Sequence, residues 1–277
     1  MLLGVLGKPF LALDDLLDLR GLDAVHEEVC VALAQFPTGY TGGSHRAMGI
    51  MPPEREAEAI ADYQEVIRSL DDAQFEVLRS LSDQPARFPR AGERGRVEFG
   101  EERDVPLSHR QMLWLKMRFG VYFPWKVYAE LIPNERWEDK AKTRGKRFTR
   151  TAEALFPRTI AFVKGLPFSS IGRCNIMGLE AHDHGTIHRD GDPDPARAPD
   201  PFITFSPAPP GGVGQKRLYL YDPETREETD VVGRAYWFND HDYHGVRAAP
   251  FFRYSIRVDG PFDPAFVRRL EQLEPAR

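Results

Sequence analysis

The sequence predicts an α+β protein, with an α-helical N-terminal half packed on a C-terminal double-sheet jelly roll or a related barrel. Three observations predict it. Apolar residues recur every three or four positions through much of the chain before residue 167, the period of helices that bury one face. Beyond residue 167 the apolar runs become short and are separated by Gly, Pro, Asp and Asn, the pattern of strands and turns. About eight such runs suit two stacked antiparallel sheets, and the amphipathic helices must bury their stripes against something.

Taken in order, Leu11 to Gln35 spaces Leu16, Leu19, Leu22, Val25, Val29 and Leu33 along one helical face. Glu54 to Leu81 predicts one or two further helices, with Ile60, Tyr63, Val66, Ile67 and Leu70 on one side. Residues 84–104 are polar and rich in Gly, Arg and Glu, and read as a surface loop. Pro106 to Leu131 is aromatic and mixed. Arg158 to Leu166 predicts a short helix, with Pro157 before it and Gly165-Leu166-Pro167 after it. The expected strands are 168–179, 184–188, 201–206, 216–221, 227–231, 234–239, 243–248 and 252–258. The division is placed at 155/156, giving a helical region 1–155 and a strand-rich core 156–277.

Composition narrows the function. The 277 residues are 42% hydrophobic and 29% charged, with no apolar run long enough to span a bilayer. The short run in Met1 to Phe10 has Lys8 behind it and Asp14, Asp15 and Asp18 soon after, so no secretory signal is expected. Two cysteines, Cys30 and Cys174, exclude a disulfide scaffold and suit a reducing cytoplasm. A net charge of -5 argues against a nucleic-acid partner. Acidic residues on the polar face of 11–35 argue against a membrane. A small-molecule or peptide substrate is the expected partner, and the oligomeric state stays open.

Five of the eight histidines fall between 182 and 244. His188-x-Asp190 followed by His244 offers two imidazoles and one carboxylate, a set that suits non-haem Fe(II) and leaves coordination positions open. An H-x-[DE] match alone is weak: about one is expected by chance in this composition, and His26-x-Glu28 is a second one on a predicted helix. Context strengthens the first. His188-x-Asp190 ends a strand and runs into the Gly/Pro/Asp loop 191–201. Beyond His244 comes Arg253-Tyr-Ser255, and strand alternation puts Arg253 and Ser255 on one face. A guanidinium beside a hydroxyl can hold a carboxylate in a fixed geometry.

On these motifs, residues 156 to 262 resemble the 2-oxoglutarate/Fe(II)-dependent oxygenase superfamily, most closely its aspartyl/asparaginyl β-hydroxylase-like family. The stretches that carry the resemblance are Phe156-Pro-Arg-Thr-Ile160, Ile187-His-Arg-Asp190, Gly233-Arg-Ala-Tyr-Trp-Phe238, His244-Gly-Val246 and Arg253-Tyr-Ser-Ile-Arg-Val-Asp259. The resemblance implies a double-stranded β-helix, with Fe(II) held by His188, Asp190 and His244. It implies 2-oxoglutarate as co-substrate, held by Arg253 with Ser255 beside it, or else by Arg257, and dioxygen as oxidant. The reaction implied is hydroxylation of an amino acid, free or in a peptide, with release of succinate and CO2. Two features depart from the family. Several members lack the carboxylate ligand that Asp190 supplies here. The family's Arg-x-His strand should fall near Pro201-Phe-Ile-Thr-Phe205, where neither residue type occurs.

Alternatives remain at several positions. His241 competes with His244, and Arg257 with Arg253. His182-x-His184 raises a cupin-type enzyme, an isomerase or a 2-oxoglutarate-independent dioxygenase, but no glutamate follows at the spacing that site needs. A non-catalytic binding module with the same fold is the other class. Arg173 and Asn175 alternate on the strand before the site and face either a ligand or solvent. Lys140 to Arg150 holds six Lys/Arg and reads as a solvated loop. The acidic stretch Asp190 to Asp200 reads as a lid or rim, and Trp237 and Phe238 as core.

Overall fold

All eight strands expected beyond residue 167 form, in order: β4 (Arg173–Leu179), β5 (Gly185–His188), β6 (Phe202–Phe205), β7 (Leu218–Tyr221), β8 (Glu228–Asp230), β9 (Ala235–Phe238), β10 (His244–Val246) and β11 (Arg253–Asp259). The computed structural model describes residues 1–41, 50–55, 61–100, 104–123, 125–134 and 137–273. Before β4 come β1 (Phe10–Ala12), α1 (Leu22–Ala32), β2 (Gly39–Thr41), α2 (Tyr63–Ser69), α3 (Asp72–Ser80), α4 (His109–Phe119), β3 (Trp125–Ile132), α5 (Arg150–Leu155) and α6 (Pro157–Lys164), and α7 (Pro264–Glu271) follows β11. The expected residue Ile60 lies outside the described residues.

The strands form two antiparallel sheets. The larger has the order β1-β9-β6-β11-β4-β3-β2 and the smaller β5-β10-β7-β8. From β4 to β7 each strand lies in the opposite sheet to its predecessor, and β9, β10 and β11 alternate again. Alternation along each strand sends one set of side chains between the sheets and the other outward. On β6, Thr204 faces inward, while Phe205 faces the helices and packs on Phe162 of α6, ring centroids 5.0 Å apart.

The N-terminal half is not purely helical, which corrects the expectation for 1–155. β1 pairs with β9, with Leu11 opposite Trp237, and β3 pairs with β4 along most of its length. The large sheet therefore crosses the 155/156 division. The physical reason is that β9 and β4 would otherwise each present an unpaired edge. The long helix expected from Leu11 shrinks to α1. Ahead of α1, Leu13 donates to the Ala235 carbonyl at 2.8 Å and the Asp14 carboxylate accepts from the Arg234 amide at 2.9 Å. Gly21, at φ 91°, then turns the chain into the helix, a backbone conformation that favours glycine.

Residues 84–104 are more than a surface loop. Phe88 and Phe99 pack with Tyr63, Ile67, Phe75, Leu78, Leu115 and Phe123 in a second core, separate from the main one and inserted between β2 and β3. α1 buries Leu22, Val25 and Val29 of the stripe read from the sequence, and Ala32 in place of the half-buried Leu33. Its polar side has a task too. Glu28 accepts from the Arg158 amide at 2.8 Å, the Thr159 amide at 2.7 Å and the Thr159 hydroxyl at 2.7 Å. It caps the first turn of α6, whose own N-cap position is Phe156 and makes no side-chain cap. The second H-x-E match is thus a helix clamp.

Glu28→Ala is expected to destabilise the fold by about 1–2 kcal/mol, the usual value of a helix cap. Urea unfolding at pH 7 measures it, and an unchanged midpoint would show that the clamp contributes nothing.

Candidate metal centre and pocket

Antiparallel pairing places the two histidines. His244 of β10 lies directly opposite His188 of β5, and their rings sit 4.4 Å apart at 52°. Asp190 follows two residues after His188, where its amide donates to the Asp240 carbonyl at 2.8 Å. Asp190 Oδ1 lies 3.5 Å from His188 Nε2 and 3.8 Å from His244 Nε2. The structure thus brings His188, Asp190 and His244 together as a group whose ligand atoms lie within 4.8 Å of one another.

Both rings are oriented from behind. His188 Nδ1 lies 2.8 Å from the Thr186 carbonyl and His244 Nδ1 2.9 Å from the Asp242 carbonyl. A carbonyl can only accept, so each Nδ1 donates to it and each Nε2 is the ring nitrogen turned toward Asp190. Burial, with His188 beside it, pushes His244 down to about 4, so its ring is neutral at pH 7. Burial opposes ionisation of Asp190, yet His188, His244 and Arg257 around it hold its carboxyl well below the usual range. Two imidazoles and one carboxylate form a donor set that fits Fe(II).

These side chains open onto a pocket of about 520 Å³, counting its mouth, also lined by Met177, Thr204, Lys216, Leu218, Tyr236, Phe238, Val246 and Arg257. Met177, Leu218, Phe238 and Val246 make apolar walls. Phe238 meets the His244 ring edge-on at 5.0 Å, so both it and Trp237 are buried as expected. Lys216 is buried at 6% exposure and donates to Ser255 Oγ at 3.1 Å. Burial, reinforced by the positive charge of Arg257, pushes its ammonium down to about 7. The Tyr236 hydroxyl is buried and has no hydrogen-bond partner among the described residues.

The structure places the expected carboxylate anchors differently from one another. Arg253 does not line the pocket. Its guanidinium donates to the carbonyls of Arg247 at 3.0 Å, Glu180 at 2.9 Å and Phe251 at 3.5 Å, and to that of Asp183. The reason is position along β11. β6 pairs only with Ile256 to Asp259, so Arg253 lies beyond the end of that pairing, where the loops after β4 and β10 close over it. Ser255 meets the pocket only through Lys216. Arg257 does line it, but its Nη1 donates to Asp190 Oδ2 at 3.2 Å, its Nη2 to Asp240 Oδ2 at 2.5 Å and its Nε to Asp259 Oδ1 at 3.0 Å.

The other candidates fall outside the centre. His182 and His184 are exposed. His241 Nδ1 lies 2.7 Å from the Asp192 carbonyl, and the ring joins Asp200 and Asp240 in a second group of possible ligands. The Lys140 ammonium already pairs with both of those carboxylates, at 3.0 and 2.6 Å. Lys140 is thus buried, unlike the solvated loop expected around it. Arg173 pairs with Asp259, and the Asn175 amide donates to the Tyr128 hydroxyl at 2.6 Å. Lys216 and Tyr236 are the pocket residues the sequence reading passed over. Their signal was alternation: Lys216, Leu218 and Leu220 share a parity, as do Tyr236 and Phe238, so each polar group sits on an otherwise apolar inward face.

No protein-family profile matches the chain, and no curated protein matches it in sequence. Among solved structures it is similar to a 2OG-Fe(II) oxygenase family oxidoreductase from Burkholderia pseudomallei, at 14% identity over 48% of this chain and 66% of that one, TM-score 0.31. A prolyl-4-hydroxylase from Pseudomonas putida gives 20% identity over 38% and 60%, TM-score 0.24. The viral collagen prolyl hydroxylase of Paramecium bursaria Chlorella virus 1, in its 2OG complex, gives 10% over 48% and 76%, TM-score 0.26. The chain spans less than two thirds of the first two. Similarity of this size assigns neither fold nor activity.

Lys216 supplies a pH test. Between about pH 7 and its ordinary value of 10.5, the folded state holds this amine neutral while the unfolded state protonates it. The unfolded state then binds more protons, so Lys216 makes stability rise with pH across that window. Lys216→Met should flatten the rise between pH 7.5 and about 9.5 in urea titrations. An identical slope in both proteins would place the amine in water.

Proposed function

We propose that the protein is an Fe(II)- and 2-oxoglutarate-dependent oxygenase built on a double-stranded β-helix, and that it hydroxylates an amino acid, free or within a peptide. The observation that carries this reading is the pairing of His188, Asp190 and His244 with a partly apolar pocket that also holds a buried amine and an orphaned hydroxyl. His188 Nε2, His244 Nε2 and Asp190 Oδ1 would hold the metal on one face, leaving the other face open.

The fit to 2-oxoglutarate rests on the orphaned group. A buried hydroxyl without a partner costs free energy. A carboxylate at the inner end of the pocket would accept from Tyr236 and Lys216 together. We therefore assign the anchor for the far carboxylate to Lys216, supported by Ser255 and Tyr236, in place of Arg253. Arg257 orients Asp190 instead. When bound, iron and 2-oxoglutarate supply the oxidation of a substrate C–H bond by dioxygen, one oxygen atom going to the substrate and one to succinate as CO2 leaves. The chain's own part is to fix the imidazole tautomers, to hold one Asp190 oxygen toward the metal and the other toward Arg257, and to keep water out with Met177, Leu218, Phe238 and Val246. Asp190 fills the ligand position that a halide would need, which favours hydroxylation over halogenation.

The amino-acid substrate comes from the resemblance to the aspartyl/asparaginyl β-hydroxylase-like family. Dioxygen uptake that requires 2-oxoglutarate, with succinate release across a panel of amino acids and peptides, tests the reading. Uptake independent of 2-oxoglutarate would favour a cupin-type enzyme.

Two outcomes are expected at the residues. His188→Ala and His244→Ala should lose iron stoichiometry while keeping the circular dichroism of the fold, and full iron in both would remove the metal assignment. Lys216→Ala should weaken 2-oxoglutarate binding about 10- to 100-fold, the range for a lost hydrogen bond to a charged group. Calorimetry near pH 8 should also show proton uptake on binding in the wild type, because a carboxylate recharges the amine. If Arg253→Ala weakens binding and Lys216→Ala does not, the anchor lies on β11.

A further inference from the structure

The metal-binding carboxylate is one end of a buried chain of charges that reaches the N-terminal half. Asp190 Oδ2 accepts from Arg257, which also holds Asp240 and Asp259. Asp259 pairs with Arg173 at 2.8 Å. Asp240 Oδ2 accepts a second charged donor, Lys140 Nζ, at 2.6 Å. Lys140 pairs with Asp200 at 3.0 Å, and Asp200 with Arg197 at 2.8 Å. Four carboxylates thus alternate with four cations, Arg173, Arg257, Lys140 and Arg197. All are buried except Asp190 and Asp200, which are mostly so, and Arg197, which is half exposed.

Resting on the metal-centre reading, we propose that this chain is the charge-setting device of the site. Arg257 spends the negative charge of Asp190 before any ion arrives, and Lys140 keeps Asp240 from drawing Arg257 away. Asp190 would then offer a metal one oxygen, its other oxygen being held by Arg257. A bound dipositive ion would then keep more of its charge toward the pocket, which would favour the capture of a dianionic chelator. Lys140, Asp240 and Arg257 act on the metal through Asp190 and are positioning residues. Lys140 lies in the short 3-10 helix 137–141, so the N-terminal half takes part in tuning the centre.

The alternation of charges makes a prediction of sign that a merely structural role does not. Lys140→Met removes a cation and leaves the network negative, so metal affinity should rise. Asp240→Asn removes an anion and leaves it positive, so metal affinity should fall. Both substitutions break the same Lys140–Asp240 ion pair, and a structural role would weaken metal binding in both. Charges of this kind across a buried network should shift affinity about five- to tenfold in each direction. Arg197→Gln, at the half-exposed end, should act like Lys140→Met with a smaller shift, and it carries the test if Lys140→Met fails to fold.

The measurement is Mn(II) binding to the full chain, followed by the electron paramagnetic resonance of free Mn(II), with thermal unfolding of each variant alongside. Opposite shifts for Lys140→Met (or Arg197→Gln) and Asp240→Asn are the expected result. Shifts in the same direction, or none, would overturn the charge-setting role while leaving the metal centre standing. Absence of Mn(II) binding by the wild type would overturn the metal-centre reading itself, and this inference with it.

Discussion

Arg257 cannot be removed from this fold in the mind without the candidate centre coming apart. A guanidinium buried at 3% exposure needs compensation, and it finds three carboxylates from three places: the end of β5, the end of β9 and its own strand. Phe202 supplies a ring face 3.8 Å from its guanidinium carbon. Those demands fix where the chain can go after β5 and β9. They also fix Asp190, because one of its oxygens is occupied by Arg257 and the other is left beside the two imidazoles. Burial raises the cost of any unpaired member, so the network is held as a whole or not at all.

The small sheet provides the second constraint. His188 and His244 meet because β5 and β10 are antiparallel and in one register; a slip by a single residue would turn one ring outward. The register shift between His244 and Val246 lies beside the candidate centre, and bulges commonly re-aim a side chain. The carbonyls that fix the two tautomers, those of Thr186 and Asp242, come from the same strands and their approaches. Asp242 is in turn held by the N-terminus, its carboxylate accepting from the amides of Leu3 at 2.7 Å and Gly4 at 2.8 Å. Orientation of one ring thus depends on residues about 240 positions away in sequence.

That dependence recurs across the N-terminal half. β1 and β3 close the edges that β9 and β4 would expose, α1 clamps α6 through Glu28, and Lys140 enters the charge chain behind the pocket. The segment from α2 to α4 has its own core and makes the aromatic insertion between β2 and β3. The two halves share one sheet, and the N-terminal half supports a site whose lining comes from the C-terminal half.

Much was legible in the sequence because it is local. Strand period and turn residues marked all eight C-terminal strands, since alternation and chain reversal are written in neighbouring residues. The three-four stripe marked α1, though not its start, and His188-x-Asp190 and His244 were legible by residue type and spacing. What stayed hidden is what depends on partners distant in the chain. Leu11 to Leu19 has helical spacing, but pairing of β1 with β9 overrides it. Arg253 and Arg257 share one strand face and cannot be told apart by alternation. The tertiary structure separates them because β6 ends between them, leaving Arg253 to bind loop carbonyls and Arg257 to meet Asp190. Lys140 looks like one charge in a basic run, and only the fold shows that it is buried between two carboxylates. The sequence by itself determined the strands, the donor set and the inward faces; which cation meets which carboxylate was decided by tertiary packing, because a buried charge is placed by its partners and not by its neighbours in the chain.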